Sequence, residues 1–319
     1  MYFIVRRLGV TLATLFLVSV FTFLAFQVVR GDPASLILGT EATEEQLAAL
    51  REEMGLNRSL PARYVSWLGN FFSGNLGNST RFRGEPIAGL ILERLPVTFC
   101  LASLSLVFIL LFSFPAALIS VRREGGFFDR LINTFTAVSI SFPGFFLAVL
   151  FIWIFGILLK LFSPGAYTGY GENPAGFFGY LIFPALAVAI PGSAVLTKFL
   201  RASILQQLRS DYVRTAYSKG AGPRLVLYRH VLKNGIIPAL TLLGMLIAEV
   251  FSGSIIIEQV FSIPGIGRLL IAAISSRDYP MIQTLVVYIA CTVVAANTLV
   301  DIAIQIIDPR IKVGLGNEQ

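Results

Sequence analysis

Charges inside the long apolar runs of this chain are few, and four polar residues there stand out: Glu249, Glu258, Asn297 and Asp301. A carboxylate in the middle of a bilayer costs about 3 kcal/mol, so such groups face protein or an aqueous path. Two chemistries suit Glu249: a relay for protons or ions, and a satisfied structural carboxylate. A second constellation lies outside the apolar runs, where Asp211, Tyr212, Val213, Arg214, Thr215, Ala216 and Tyr217 lead to Lys219 and Gly220. Its chemistry is recognition. Asp211 is placed to cap a helix over Tyr212–Lys219, and Gly220 to end it in the left-handed conformation. Val213, Ala216 and Tyr217 then form a compact, partly apolar knob for a groove in a soluble partner. The competing reading is an amphipathic helix lying on the inner membrane surface.

Covalent and metal chemistry find no support. No G-x(4)-G-K-S/T loop is present, and none of the five lysines is followed by Ser or Thr. There is no H-E-x-x-H and no G-x-S-x-G, and His230 is the sole histidine. Cys100 and Cys291 both fall inside apolar runs and read as buried free thiols. The expectation is a chain that is no enzyme and binds no cofactor or metal.

The elements that must position these residues are membrane helices. Of 319 residues, 55% are hydrophobic and only 13% charged, against roughly a quarter charged in soluble domains. Runs of ~20 apolar residues must be helical in lipid, where every backbone group pairs within its own segment. Six spans are expected, giving an all-α polytopic membrane protein: Leu8–Val29, Leu95–Val121, Ile132–Leu161, Leu181–Thr197, Ile236–Phe261 and Ile282–Ile306. The third contains Pro143-Gly144 and is expected to tilt or kink; the fourth carries Pro184 and Pro191 and is expected to be the least regular. The first span is too long for a signal-peptide core and reads as a retained anchor. Leaving aside the long segment between the first two spans, Arg6, Arg7, Arg122, Arg123, Arg130 and most other basic residues fall on one side, against Arg268 and Arg277 on the other and Lys160 near a boundary, which puts both termini in the cytoplasm. The net charge of +7 is therefore topology and calls for no nucleic acid.

Three regions follow: an N-terminal span over residues 1–29, an extracytoplasmic subdomain over 30–94, and a transmembrane core over 95–319 with a cytoplasmic segment at 200–235. In the outer region Thr43 and Gln46 fit a capping box, Leu47, Leu50 and Met54 share a face, and Gly55 stops the helix. Tyr64–Phe72 is amphipathic and aromatic, suited to the membrane interface. Leu269, Leu270, Ala273 and Ile274 make an apolar face for a piece that re-enters the outer leaflet. Ala185, Ala189 and Ser193, and likewise Gly244, Ala248 and Ser252, recur at every fourth position. That stripe suits close helix contact, within the chain or against a partner.

Several motifs bring a family into view. Leu200-Arg-Ala-Ser203, Asp211-Tyr-Val-Arg-Thr-Ala216 with Lys219-Gly220, and Arg229-His230 with Lys233-Asn234 closely resemble the cytoplasmic signature of ABC importer permeases, dipeptide/oligopeptide/nickel branch. Glu258-Gln-Val-Phe-Ser-Ile-Pro-Gly-Ile-Gly-Arg268, Arg277-Asp-Tyr-Pro280, Asn297 with Asp301, Asp308-Pro-Arg310, Gly31-Asp-Pro33, Met54-Gly-Leu56 and Gly74-Asn-Leu-Gly-Asn-Ser79 extend the resemblance over nearly the whole chain. The wider superfamily writes its coupling element E-A-A-x(3)-G. With its glycine on Gly220, Arg214-Thr215-Ala216 stand at the E-A-A positions and only Ala216 agrees. The resemblance implies a type I ABC importer permease, the first of two paired permeases, in a bacterial inner membrane. Its implied partners are a homologous second permease, two ABC ATPase subunits that carry ATP and Mg, an extracytoplasmic substrate-binding protein, and membrane lipid. It implies ATPase coupling through Asp211–Gly220, and a translocation path near Glu249, Glu258, Asn297 and Asp301. The rival class is an ion-coupled secondary transporter using Glu249 and Asp301.

Overall fold

The computed structural model describes residues 2–28, 42–53, 55–82 and 84–307. Gly31–Pro33, Met54, and Asp308–Arg310 with the C-terminus lie outside them. The regular secondary structure of the described residues is helical, apart from one isolated bridge, Asn78 to Pro86. In chain order the helices are α1 (Tyr2–Val28), α2 (Glu44–Glu53), α3 (Leu60–Phe72), α4 (Ile87–Arg122), α5 (Phe127–Ser141), α6 (Gly144–Leu158), α7 (Pro174–Leu208) and α8 (Asp211–Ser218). Then come α9 (223–235), α10 (Ile237–Val260), α11 (Ile266–Ser275) and α12 (Tyr279–Ile307). Among the described residues α1, α4, α7, α10 and α12 each suffice by length and composition to cross a membrane, and the bent pair α5 and α6 brings the number to six when counted as one span.

The kink expected at Pro143-Gly144 is present, and it divides the third expected span: instead of one helix over Ile132–Leu161, α5 and α6 meet at 98°. Pro143 is the cause: it donates no N–H and pushes the residue before it out of helical space. Phe142 accordingly sits at φ −98, ψ 126 and Pro143 at φ −64, ψ 146. The fourth span is corrected in the opposite sense. α7 runs unbroken through Pro184 and Pro191. It is the most enclosed of the long helices, with 56% of its apolar window buried against 17–33% for the others. Neighbouring helices there can compensate for the withheld N–H groups.

The chain forms two compact units, Met1–Pro96 with Pro264–Val294, and Val97–Ile263 with Ala295–Gln319. In the first unit the capping box forms as expected: the Gln46 N–H donates to Thr43 Oγ1 (3.3 Å) and the Thr43 N–H to Gln46 Oε1 (3.1 Å). Gly55 follows α2 at φ +67. α3 is tied to α1 through the Tyr64 and Ser19 hydroxyls, 2.7 Å apart, and through Phe23, whose ring lies 5.4 Å from Tyr64 and 5.9 Å from Trp67. The core of this unit packs Ile87, Leu90 and Ile91 against Leu269, Ala273, Met281 and Leu285. The expected apolar face of α11 is therefore divided: Leu269 and Ala273 turn inward, Ile274 outward. Asp278 is fully buried at the turn into α12. It accepts from Ser79 Oγ (2.5 Å), the Arg81 N–H (3.2 Å) and the Met281 N–H (3.3 Å).

In the second unit α7 is the central helix, packed on α5, α6 and α10. Ala185 and Ala189 are fully buried on it and Ser193 nearly so, as the small-residue stripe predicts. The stripe on α10 behaves differently. Gly244 is buried, so that a Cβ there would meet Val300 at 3.0 Å, whereas Ser252 is exposed.

Candidate functional site

The cytoplasmic segment is built outward from the end of α7. Ser210, at φ −77 and ψ 153, is the capping residue of α8, with Asp211 in the first turn. This corrects the expectation that Asp211 caps. Asp211 instead adds a negative charge to the positive end of the helix dipole and lies 3.6 Å from exposed Arg214. At the other end the Gly220 N–H donates to the Tyr217 carbonyl (2.9 Å) and the Ala221 N–H to the Ala216 carbonyl (3.2 Å). That pair of bonds is the Schellman closure, and it requires the left-handed backbone that Gly220 supplies at φ +81.

Two anchors fix the direction in which α8 faces. Tyr212 Oη donates to Gln207 Oε1 on α7 at 2.9 Å. Val213, 1% exposed, inserts into a cluster with Val121, Ile204, Val226, Leu227 and Val231. Burying a valine stabilises by roughly 1.5–3 kcal/mol, enough to hold so short a helix against its parent bundle. Ala216 packs half-buried on the same cluster. The expected knob is thus reoriented: Val213 and Ala216 serve the chain's own core, and Arg214, Thr215, Tyr217, Ser218 and Lys219 face outward. α9 closes the platform from Pro223, with a π-helical turn over Val226–Val231, and ends at Gly235. There Ser203 Oγ donates to the Gly235 carbonyl (2.8 Å), and a Cβ on Gly235 would sit 3.3 Å from the Ile204 backbone.

Beneath this platform is a polar cluster without a sequence signature. Asp129, 5% exposed, forms a bidentate pair with Arg201 at 2.9 and 2.8 Å. It also accepts from the Gly125 N–H (2.8 Å), Asn133 Nδ2 (2.8 Å) and Ser120 Oγ. Arg201 Nε reaches Ser120 Oγ as well, at 2.8 Å. α4, α5 and α7 are joined at one point, next to Val121 and Ile204 of the platform cluster.

The intramembrane polar residues separate into distinct environments. Glu258 is fully buried and accepts from Thr98 Oγ1 at 2.6 Å. Asn297 and Asp301 are half-buried on α12. Glu249 is exposed, and its carboxylate makes no hydrogen bond or ion pair among the described residues. Also among the described residues, no three metal-ligating side chains come together.

Comparison with known proteins fits this arrangement. A family model described as the binding-protein-dependent transport system inner membrane component matches residues 109–313, and one for the N-terminal part of such components matches residues 1–102. A Sinorhizobium fredii protein described as a probable peptide ABC transporter permease is 39% identical over 310 residues, covering 97% of this chain and 99% of that protein. A dipeptide transport system permease protein of Lactococcus lactis is 33% identical over 310 residues, covering 97% and 99% respectively. None of these matches favours the ion-coupled alternative. The chain is a multi-pass membrane protein, and it belongs to the family of binding-protein-dependent transport system inner membrane components, the transmembrane permease subunits of ABC importers.

Proposed function

We propose that the chain is the first of two paired permeases of a peptide importer in a bacterial inner membrane, with both termini cytoplasmic. Its partners are a homologous second permease, two ATPase subunits that hold ATP and Mg, and an extracytoplasmic peptide-binding protein. The chain carries out no covalent chemistry. Closure of the ATPase pair pushes on α8, and α7 carries that displacement into the bundle, so that the path opens alternately to each side. Glu249, Asn297 and Asp301 line or border that path, and Glu258 steadies it through Thr98.

The observation that supports this reading is the division of labour on α8. Val213 and Tyr212 lock the helix to α7, while a polar and aromatic face stays exposed, with Tyr217 44% exposed. A short helix held this firmly transmits force instead of yielding to it. The test is Tyr217→Ala in the assembled transporter. Because Tyr217 points away from the core, membrane insertion and thermal stability should match wild type. Capture of the ATPase subunits by the permease, and peptide uptake, should both fall. Normal capture together with normal uptake would rule out α8 as the docking element.

A further inference from the structure

Glu249 is an anomaly in terms of cost. It lies near the middle of α10, on a helix otherwise apolar enough to span. It is exposed on the surface of this chain without a partner among the described residues. Facing lipid, the carboxylate would be desolvated with nothing to offset the loss. The surface around it is not flat. Glu249 borders a cleft of about 160 Å³ between α6, α7 and α10. A cavity needs only about 10–15 Å³ on this measure to hold one water, so the cleft has room for an organic group. Its walls are apolar, Phe145 and Leu246 among them, and small residues open it: Gly144 directly after the Pro143 break, Gly192 after Pro191, and Gly253 one turn beyond Glu249. Glu249 is its only charged lining residue.

We infer that this cleft is a subsite for the cationic end of the cargo: Glu249 receives the α-ammonium group of a peptide while the first side chain lies against the apolar wall. A single carboxylate in an apolar surround attracts one cation attached to an apolar body and repels the carboxylate end, so cargo enters the cleft amino end first. A lone carboxylate is also too few ligands for a metal ion, which takes several. The inference rests on the permease reading above and adds a polarity to the path.

The test uses the reconstituted complex in two measurements. In the first, Gly253→Cys is introduced after replacement of Cys100 and Cys291; a Cβ at Gly253 meets nothing within 4 Å. Its reaction rate with a cationic methanethiosulfonate is compared with that for a neutral one, with and without Glu249→Gln, in nucleotide-free and vanadate-trapped complexes. The cation preference should fall about tenfold in Glu249→Gln, the scale of a hydrogen bond to a charged group. A cargo peptide with a free amino end should slow labelling more than its N-acetylated form. Failure of both reagents to react in either state would overturn the subsite, because lipid or a side chain of the second permease then covers the cleft. The second measurement is peptide uptake. Glu249→Gln should raise KM for free-amine peptides by about tenfold while the binding protein's own affinity is unchanged. An unaltered cation preference and an unaltered KM would overturn the inference yet leave the permease reading intact. Absence of ATP-dependent peptide uptake in wild type would instead sink the permease reading itself.

Discussion

Gly220→Ala isolates the closure of the coupling helix from every other contribution. Gly220 lies at φ +81, and a Cβ built there meets nothing within 4 Å. No packing is gained or lost, so the whole cost is backbone. The left-handed conformation costs a non-glycine residue about 1–2 kcal/mol. Alanine also restricts the open chain, which returns about 0.4–1 kcal/mol. The net is about 1 kcal/mol, or roughly a fivefold loss in the closed-to-open ratio of the α8 terminus. Asparagine, which tolerates this backbone, should cost less; valine should cost more. Gly222→Ala is the matched control, because Gly222 sits at φ −72 with equally open space around it. Hydrogen exchange of the Asp211–Ala221 amides in the intact transporter reads the effect. The Gly220 and Ala221 amides should exchange about fivefold faster in Gly220→Ala and be unchanged in Gly222→Ala, with peptide uptake falling in the order wild type, Asn, Ala, Val. Identical exchange in Gly220→Ala and Gly222→Ala would refute the closure argument.

Two further outcomes are expected. Asp129→Ala strands the Arg201 guanidinium, partly buried at 23% side-chain exposure, and should destabilise by about 3–5 kcal/mol; Asp129→Ala with Arg201→Leu should recover part of the loss in thermal unfolding of the detergent-solubilised chain, and no recovery would mean that the pair is not the source. For orientation, a cysteine at exposed Glu45 should label from outside intact cells and one at exposed Arg123 only after permeabilisation, whereas labelling of Arg123→Cys in intact cells would invert the topology.

Features encoded locally were legible in the sequence, and features encoded by tertiary proximity were not. The Thr43–Gln46 box and the Gly220 stop depend on residues within a few positions, and both form as the residue types dictate. Pro143 announced a disturbance, but its 98° size depends on what packs around it. Pro184 and Pro191 announced one that the enclosure of α7 absorbs. The direction of Val213 was illegible, because an eight-residue helix is too short to show an apolar period. Asp129 and Arg201 are 72 positions apart and Thr98 and Glu258 160; no spacing rule reaches so far. Glu249 was conspicuous as a charge in an apolar run, but the cleft beside it arises only when α6, α7 and α10 come together.

The π-helical turn in α9 has a consequence for heredity. Val226 and Val231 are both fully buried in one cluster. Five positions apart on an α-helix they would diverge by about 140°; the wider i to i+5 turn brings them onto one face. The turn therefore stores a spare residue. Losing one position between them would leave an ordinary α-helical pair four apart, still on that face, with the rest of the platform undisturbed. Losing one position inside α8 would instead swing Tyr217 about 100° around the helix axis. The segment can thus lose one position at the π turn and none in the helix beside it, so a single deletion there would leave unchanged which way the docking face points.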